Sequence, residues 1–325
     1  MQINATKNQN SAIKREETTI SPIETAFIEA NGLSFEVDMC GTGEKLALFL
    51  HGFPESKFSW RAQLPLLAEL GYTAWAPNLR GYGKSSRPEG IDAYQMDHLL
   101  ADVGGLIDAA RARGITGPVT LIAHDWGGAI GWAFALGQVR PLERFIVMNL
   151  PHPALFLKGL RTWAQLKRSW YVFFFQLPWL PEKLFTMRRA QLVADAFRNM
   201  AVSKDRFPDE VLEEYRKNAL IPGAMTAMIN YYRAAFRNRN GQADLSDAPI
   251  LETPTLMIWG EEDAALGKEL TYGTDELVRD FTIRYLPQVS HWVQQEAPEA
   301  VNAMIKAWIE GRDVPQSGIR GQLLL

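Results

Sequence analysis

One cysteine in 325 residues, Cys40, excludes an internal disulfide and any cysteine-rich metal site. Neither sign of charge dominates, because 34 basic and 37 acidic residues leave a net charge of −3. With a pI near 6.0, that argues against a dedicated nucleic-acid binder and gives no reason to invoke a membrane surface. No apolar run is long enough to span a bilayer; the greasiest stretch, Trp170–Leu180, is short and broken by Pro178. Residues 1–23 form a polar tail with no apolar signal-peptide core, so a cytoplasmic location is expected. Phosphate and dinucleotide loops are missing too. Asn78 stands five positions before Gly83-Lys84, where a phosphate loop needs glycine, and Gly41-Thr42-Gly43 lacks a third glycine. No metal and no organic cofactor is expected.

What is present is an ordinary globular composition, 47% hydrophobic and 22% charged, which excludes a disordered or fibrous chain. Short apolar runs alternate with helical patterns. Thr25–Glu29 and Leu33–Met39 flank Asn31-Gly32, a hairpin signal. Strands are expected at Leu46–Leu50, Tyr72–Ala76, Val119–Ala123 and Arg144–Met148. Helices are expected at Trp60–Leu70, Tyr94–Arg113 and Gly127–Leu136. Between 151 and 247 only helical patterns and aromatic clusters occur. The rhythm resumes with a strand at Pro254–Trp259, a helical stretch at Glu269–Val278, a strand at Thr282–Tyr285 and a helix at Ala300–Ile309. This pattern predicts an α/β fold. A mostly parallel sheet (24–150 and 248–325) is flanked by helices and interrupted by a helical lid at 151–247, with the return near Asp247-Ala248-Pro249. Seven Lys and Arg lie in that insert between Lys158 and Arg189. The overall charge makes a solvated face the better reading of them than a groove for single-stranded nucleic acid.

Ligands of open α/β sheets bind at the carboxyl ends of parallel strands. Four strand ends carry chemistry: His51-Gly52-Phe53-Pro54-Glu55, His124-Asp125-Trp126-Gly127-Gly128, Gly260-Glu261-Glu262-Asp263 and Ser290-His291. At the second, small residues surround Asp125 in a strand-to-helix turn of the kind that often presents a serine nucleophile. A carboxylate with a reference pKa of about 4 is already ionised at neutral pH and attacks without a base. Asp125 is therefore the candidate nucleophile, with a helix N-cap as the competing role. An ester on Asp125 needs a base for its hydrolysis. His291 follows in the order nucleophile, acid, base, and Asp263 precedes it as the orienting acid, with Glu261 and Glu262 as rivals. The N–H groups of Trp126 and Phe53 are the candidate oxyanion donors, since Pro54 has none. Among the other histidines, His51 and His124 are expected to bond locally, His98 to sit on a helix and His152 to face the insert.

HGFPE at 51–55, HDWGG at 124–128, WGEEDAAL at 259–266 and SHWVQQEAPE at 290–299 together resemble the soluble epoxide hydrolases of the α/β-hydrolase fold, over about residues 24–312. The resemblance implies Asp125 as nucleophile, Asp263 as acid, His291 as base and a cis peptide at Phe53–Pro54. It also implies two lid tyrosines that hold the epoxide oxygen, Tyr171 and Tyr232. Neighbours on a helix face different ways, so Tyr231 and Tyr232 cannot both point inward. Trp170, Phe173 and Phe174 are expected to line an apolar substrate pocket. The implied reaction adds water to a small apolar epoxide, giving a vicinal diol, with no nucleic acid and no inserted membrane segment, and with homodimer formation left open. Two alternatives are a haloalkane dehalogenase using the same aspartate and a non-catalytic ligand receptor on a hydrolase fold. Phe53 stands where many dehalogenases carry a halide-binding Asn.

Overall fold

The computed structural model describes residues 22–237, 249–318 and 321–324. The polar tail up to residue 21 and the expected return at 247–248 lie outside the described residues, as does 238–246 of the expected lid.

β1 (Glu24–Ala30) and β2 (Leu33–Cys40) pair antiparallel through Asn31-Gly32, both at positive φ as a two-residue hairpin requires. β3 (Lys45–Leu50), β4 (Tyr72–Pro77), β5 (Val119–His124), β6 (Arg144–Met148), β7 (Thr255–Gly260) and β8 (Phe281–Leu286) follow. The eight strands run in the order β1-β2-β4-β3-β5-β6-β7-β8, parallel from β4 onward. Pairs such as Leu48 with Leu121 and Val147 with Met257 set the register. β4, β5 and β7 are buried along their whole length, which is why their sequences are apolar runs without alternation.

Helices cover both faces. α1 (Gln63–Glu69), the short α10 (Val293–Glu296) and α11 (Pro298–Ile309) close one apolar cluster that includes Leu64, Phe49, Ile258, Val293 and Met304. α2 (Met96–Ala112) and α3 (Trp126–Leu136) cover the other face. Between β6 and β7 come α4 (Pro153–Gly159), α5 (Trp163–Arg168), α6 (Trp170–Phe174), α7 (Leu180–Met200), α8 (Asp209–Leu220) and α9 (Ala224–Arg237). Their buried residues Phe197, Tyr215 and Met228 join the second cluster without a break. Inside α7 the backbone leaves helical geometry at Met187, and Arg188, Arg189 and Ala190 are left-handed.

Two expectations need correction. The helix expected from Trp60 begins only at Gln63, because Lys57–Trp60 forms a 3₁₀ turn capped by Ser56. The helical stretch expected at Glu269–Val278 is instead two 3₁₀ turns, Lys268–Thr271 and Thr274–Glu276. Gly273 lies between them at φ 87, a conformation an α-helix cannot pass through.

Candidate active site

β5 ends at His124, and the next residue, Asp125, stands at φ 48 and ψ −121 before α3 begins. A side chain held there by packing is a strained one, a signature of functional turns. The turn closes only because its neighbours lack a Cβ. One added at Gly127 would meet the Leu50 carbonyl oxygen at 2.1 Å, and one at Gly52 would meet Asp125 Cβ at 2.4 Å. Gly52 lets the loop after β3 lie directly against the carboxylate. There the Phe53 N–H donates to Asp125 Oδ1 at 2.8 Å. The Phe53–Pro54 peptide is cis. Trp126 opens α3, where the first amides have no acceptor within the helix. Both expected oxyanion donors thus border Asp125.

His291 Nε2 approaches Asp125 Oδ2 at 3.6 Å, and its Nδ1 meets Asp263 Oδ2 at 2.6 Å. Of the three acids after β7, Glu262 is exposed and Glu261 pairs with Lys268 outside the site. Asp263 alone is buried beside the histidine. It also accepts from the backbone N–H of Ala265 (2.7 Å) and Leu266 (2.9 Å). Burial opposes charge on all three groups, and their mutual attraction outweighs it. Asp125 and Asp263 are held below the usual carboxylate range, and His291 is raised to about 10.

Tyr232 turns toward this centre. Its ring lies 5.3 Å from Phe53, 5.0 Å from Trp126 and 5.9 Å from Tyr171. Burial, and then the charge of Asp125, push both phenols up, so Tyr171 and Tyr232 keep their protons and can donate. Tyr231 turns the other way and donates to the Arg80 carbonyl at 2.8 Å.

The expected pocket lining needs correction. Trp170 and Phe173 are 63% and 50% exposed, and Phe174 is half-buried. Tyr171 and Phe175, four residues apart, share the inner side of this short helical segment, so Trp170 and Phe173 fall on its outer side. Phe175, passed over in the sequence, is the ring that packs inward, 4.8 Å from Tyr232 and 5.3 Å from Phe53.

Two further groups escaped sequence reasoning. Asn149 directly follows β6. Its Nδ2 donates to Asp263 Oδ2 at 2.7 Å, and its Oδ1 accepts from the Gly260 N–H at 2.9 Å. Glu55 is fully buried and accepts from four groups: Gly52 N–H, Gln294, Gln295 and His124. Burial opposes its charge, but His124 first and then the Gly52 N–H hold the carboxyl low. His124 Nε2 meets the His291 carbonyl at 2.8 Å, and a carbonyl only accepts. His124 thus ties the histidine loop to the loop after β3. His51 and His152 are pushed down to about 4 by burial and stay neutral. His152 caps α4 through the Ala154 N–H and packs on Trp132, while His98 is exposed on α2. Among the described residues no cluster of His, Cys, Asp and Glu is arranged to hold a metal. No helix among them is long and apolar enough to cross a membrane.

Residues 47–298 match the family described as alpha/beta hydrolase fold. Epoxide hydrolase 1 of Caenorhabditis elegans is 35% identical over 88% of this chain and 70% of its own length. Epoxide hydrolase 4 of Mus musculus is 37% identical over 87% of this chain and 78% of its own. Among solved structures, an epoxide hydrolase of Bacillus megaterium in complex with an inhibitor superposes with a TM-score of 0.76 at 29% identity, covering 88% of this chain and all of that one. An aspartate at the elbow, a histidine between two carboxylates and these relatives point one way: the chain belongs to the epoxide hydrolases of the α/β-hydrolase fold.

Proposed function

We propose that this protein hydrolyses an apolar epoxide to a vicinal diol through an alkyl ester on Asp125. Tyr171 and Tyr232 donate hydrogen bonds to the epoxide oxygen. Asp125 Oδ2 attacks one ring carbon, the carbon–oxygen bond breaks, and the alkoxide takes a proton from a tyrosine. Oδ1 becomes the ester carbonyl oxygen, already held by the Phe53 N–H at 2.8 Å.

Esterification then changes the charge around His291. In the resting enzyme two carboxylates raise it to about 10, after overcoming burial. The ester removes the Asp125 charge, so the His291 pKa falls, its proton returns to the tyrosinate, and the neutral ring then accepts a proton from water. Water attacks the ester carbon. The oxyanion rests on the N–H groups of Phe53 and Trp126, and its collapse expels the diol, which takes its last proton from His291. The water oxygen stays in the Asp125 carboxyl, whose own proton returns to His291 and restores the resting carboxylate and imidazolium. Phe53 and Phe175 supply apolar walls, which fits an apolar epoxide.

The observation that carries this proposal is the contact chain Phe53–Asp125–His291–Asp263, built on an aspartate rather than a serine. A single turnover of excess protein in ¹⁸O water tests it. The label is expected in Asp125 and not in the first diol released; label appearing directly in that diol refutes the ester. Styrene oxide is expected to give diol and 1-bromobutane no bromide, and the reverse result identifies a dehalogenase. A cytosolic location belongs to the same proposal, checked by cell fractionation.

A further inference from the structure

The modest net charge of this chain conceals a strongly cationic stretch. From Pro151 to Ala194 the sequence carries seven Lys and Arg against one carboxylate, Glu182, while the whole chain totals −3. The same stretch carries most of the exposed aromatic surface. Trp163 is 72% exposed, Trp170 63%, Phe173 50% and Trp179 66%, with Leu177 beside them at 44%. Trp163 lies on α5, Trp170 and Phe173 on α6, and Leu177 and Trp179 on the segment leading into α7, so the exposed side chains follow one another along consecutive pieces of the insert. Lys167 Nζ lies 5.5 Å above the Trp163 ring. Arg168 and Arg189 reach Glu269 and Glu213, whereas Lys158, Arg161, Lys183 and Arg188 make no ion pair among the described residues.

Exposed aromatics of this size are costly in water and mark a contact surface. Tryptophan mixed with lysine and arginine is the composition that settles at a lipid headgroup layer: the indole has an apolar body and a polar edge, and the cations meet anionic headgroups. A second copy of the chain suits this face poorly, because a two-fold contact would set like cations against each other.

We propose that the outer face formed by α5, α6 and the start of α7 docks on anionic phospholipid surfaces. The contact is peripheral, since no helix among the described residues is long and apolar enough to cross a membrane. It does not depend on the proposed chemistry. α6 gives the docking face a link to the interior, because Trp170 and Phe173 point outward from the segment whose Tyr171 and Phe175 pack inward.

Flotation of the full chain with lipid vesicles tests this. Binding is expected to vesicles of phosphatidylglycerol and phosphatidylcholine, to be weak with phosphatidylcholine alone, and to fall as salt is raised. Trp163→Ala with Trp179→Ala is expected to abolish it. Lys167→Gln and Lys183→Gln together are expected to weaken it by more than about tenfold, with unchanged circular dichroism and thermal midpoint as the check on folding. Equal binding to both vesicle types, no binding, or binding untouched by either set overturns the proposal. So does a dimer, or a complex with a single-stranded oligonucleotide, that the same substitutions dissolve while vesicles remain unbound.

Discussion

Asn149 and His291 share one oxygen: both reach Asp263 Oδ2, the amide at 2.7 Å and the imidazole at 2.6 Å. The amide fixes the carboxylate plane while its own Oδ1 is held by the Gly260 N–H. Asn149→Ala leaves Asp263 short of one buried donor, with Oδ2 facing His291 alone while Oδ1 keeps its two backbone donors. Ester hydrolysis is expected to slow by roughly tenfold or more, with alkylation of Asp125 less affected. Rapid-quench measurement of both steps checks the split; equal loss in both would assign Asn149 to the fold alone.

Removing the nucleophile is more severe. Asp125→Asn keeps the shape and loses the charge, so turnover of styrene oxide is expected to fall by at least about a thousandfold. Mass spectrometry of the quenched wild type is expected to show the alkyl adduct on Asp125, and the variant none.

The phenols separate by direction. Tyr171→Phe or Tyr232→Phe is expected to slow epoxide opening by about ten- to a hundredfold, and the double variant further. Tyr231→Phe loses only its hydrogen bond to the Arg80 carbonyl, which costs about 1 kcal/mol of stability and little rate. A Tyr231 variant as slow as the Tyr232 variant would contradict this assignment.

The pH profile follows from the signs of the shifts. Asp125 is held below its ordinary range, so alkylation is expected to stay constant through mildly acidic pH and fail only in stronger acid. His291 is raised from 6.5 to about 10, so its contribution to stability is whole below about 6.5 and is lost as pH rises through 10. The thermal midpoint should therefore decline between pH 7 and 10, and His291→Gln should flatten that decline. Ester hydrolysis should rise with pH, since it uses the neutral ring.

Packing beneath the insert gives a stability prediction. Phe197 stacks on Tyr215 and Trp292, with ring centroids 4.4 Å from each. Phe197→Ala is expected to cost about 3–5 kcal/mol, read as a lowered denaturant midpoint.

The sheet was legible because buried parallel strands have no polar face, so Leu46–Leu50 and Val119–Ala123 stand out as unbroken apolar runs. Asp125 was legible because the turn around it needs small residues, and Gly127 is one. Asn149 was not, since a single asparagine after a strand has no spacing to betray it. Glu55 was quoted in a motif without a role, because its four donors come from three separate segments. Nor does helical periodicity say which neighbour of a pair faces in. Tyr232 over Tyr231, and Phe175 over Phe173, are decided by how α6 and α9 sit on the sheet.

The apolar cluster on the α2–α3 side of the sheet continues without interruption into the insert, while the α1–α11 side closes on itself. A chimera that exchanges the insert for that of a relative therefore also replaces half of a shared interior. Such grafts will succeed or fail first on whether Phe197, Tyr215 and Met228 find equivalents of matching volume, and only afterwards on which epoxides the transplanted helices admit.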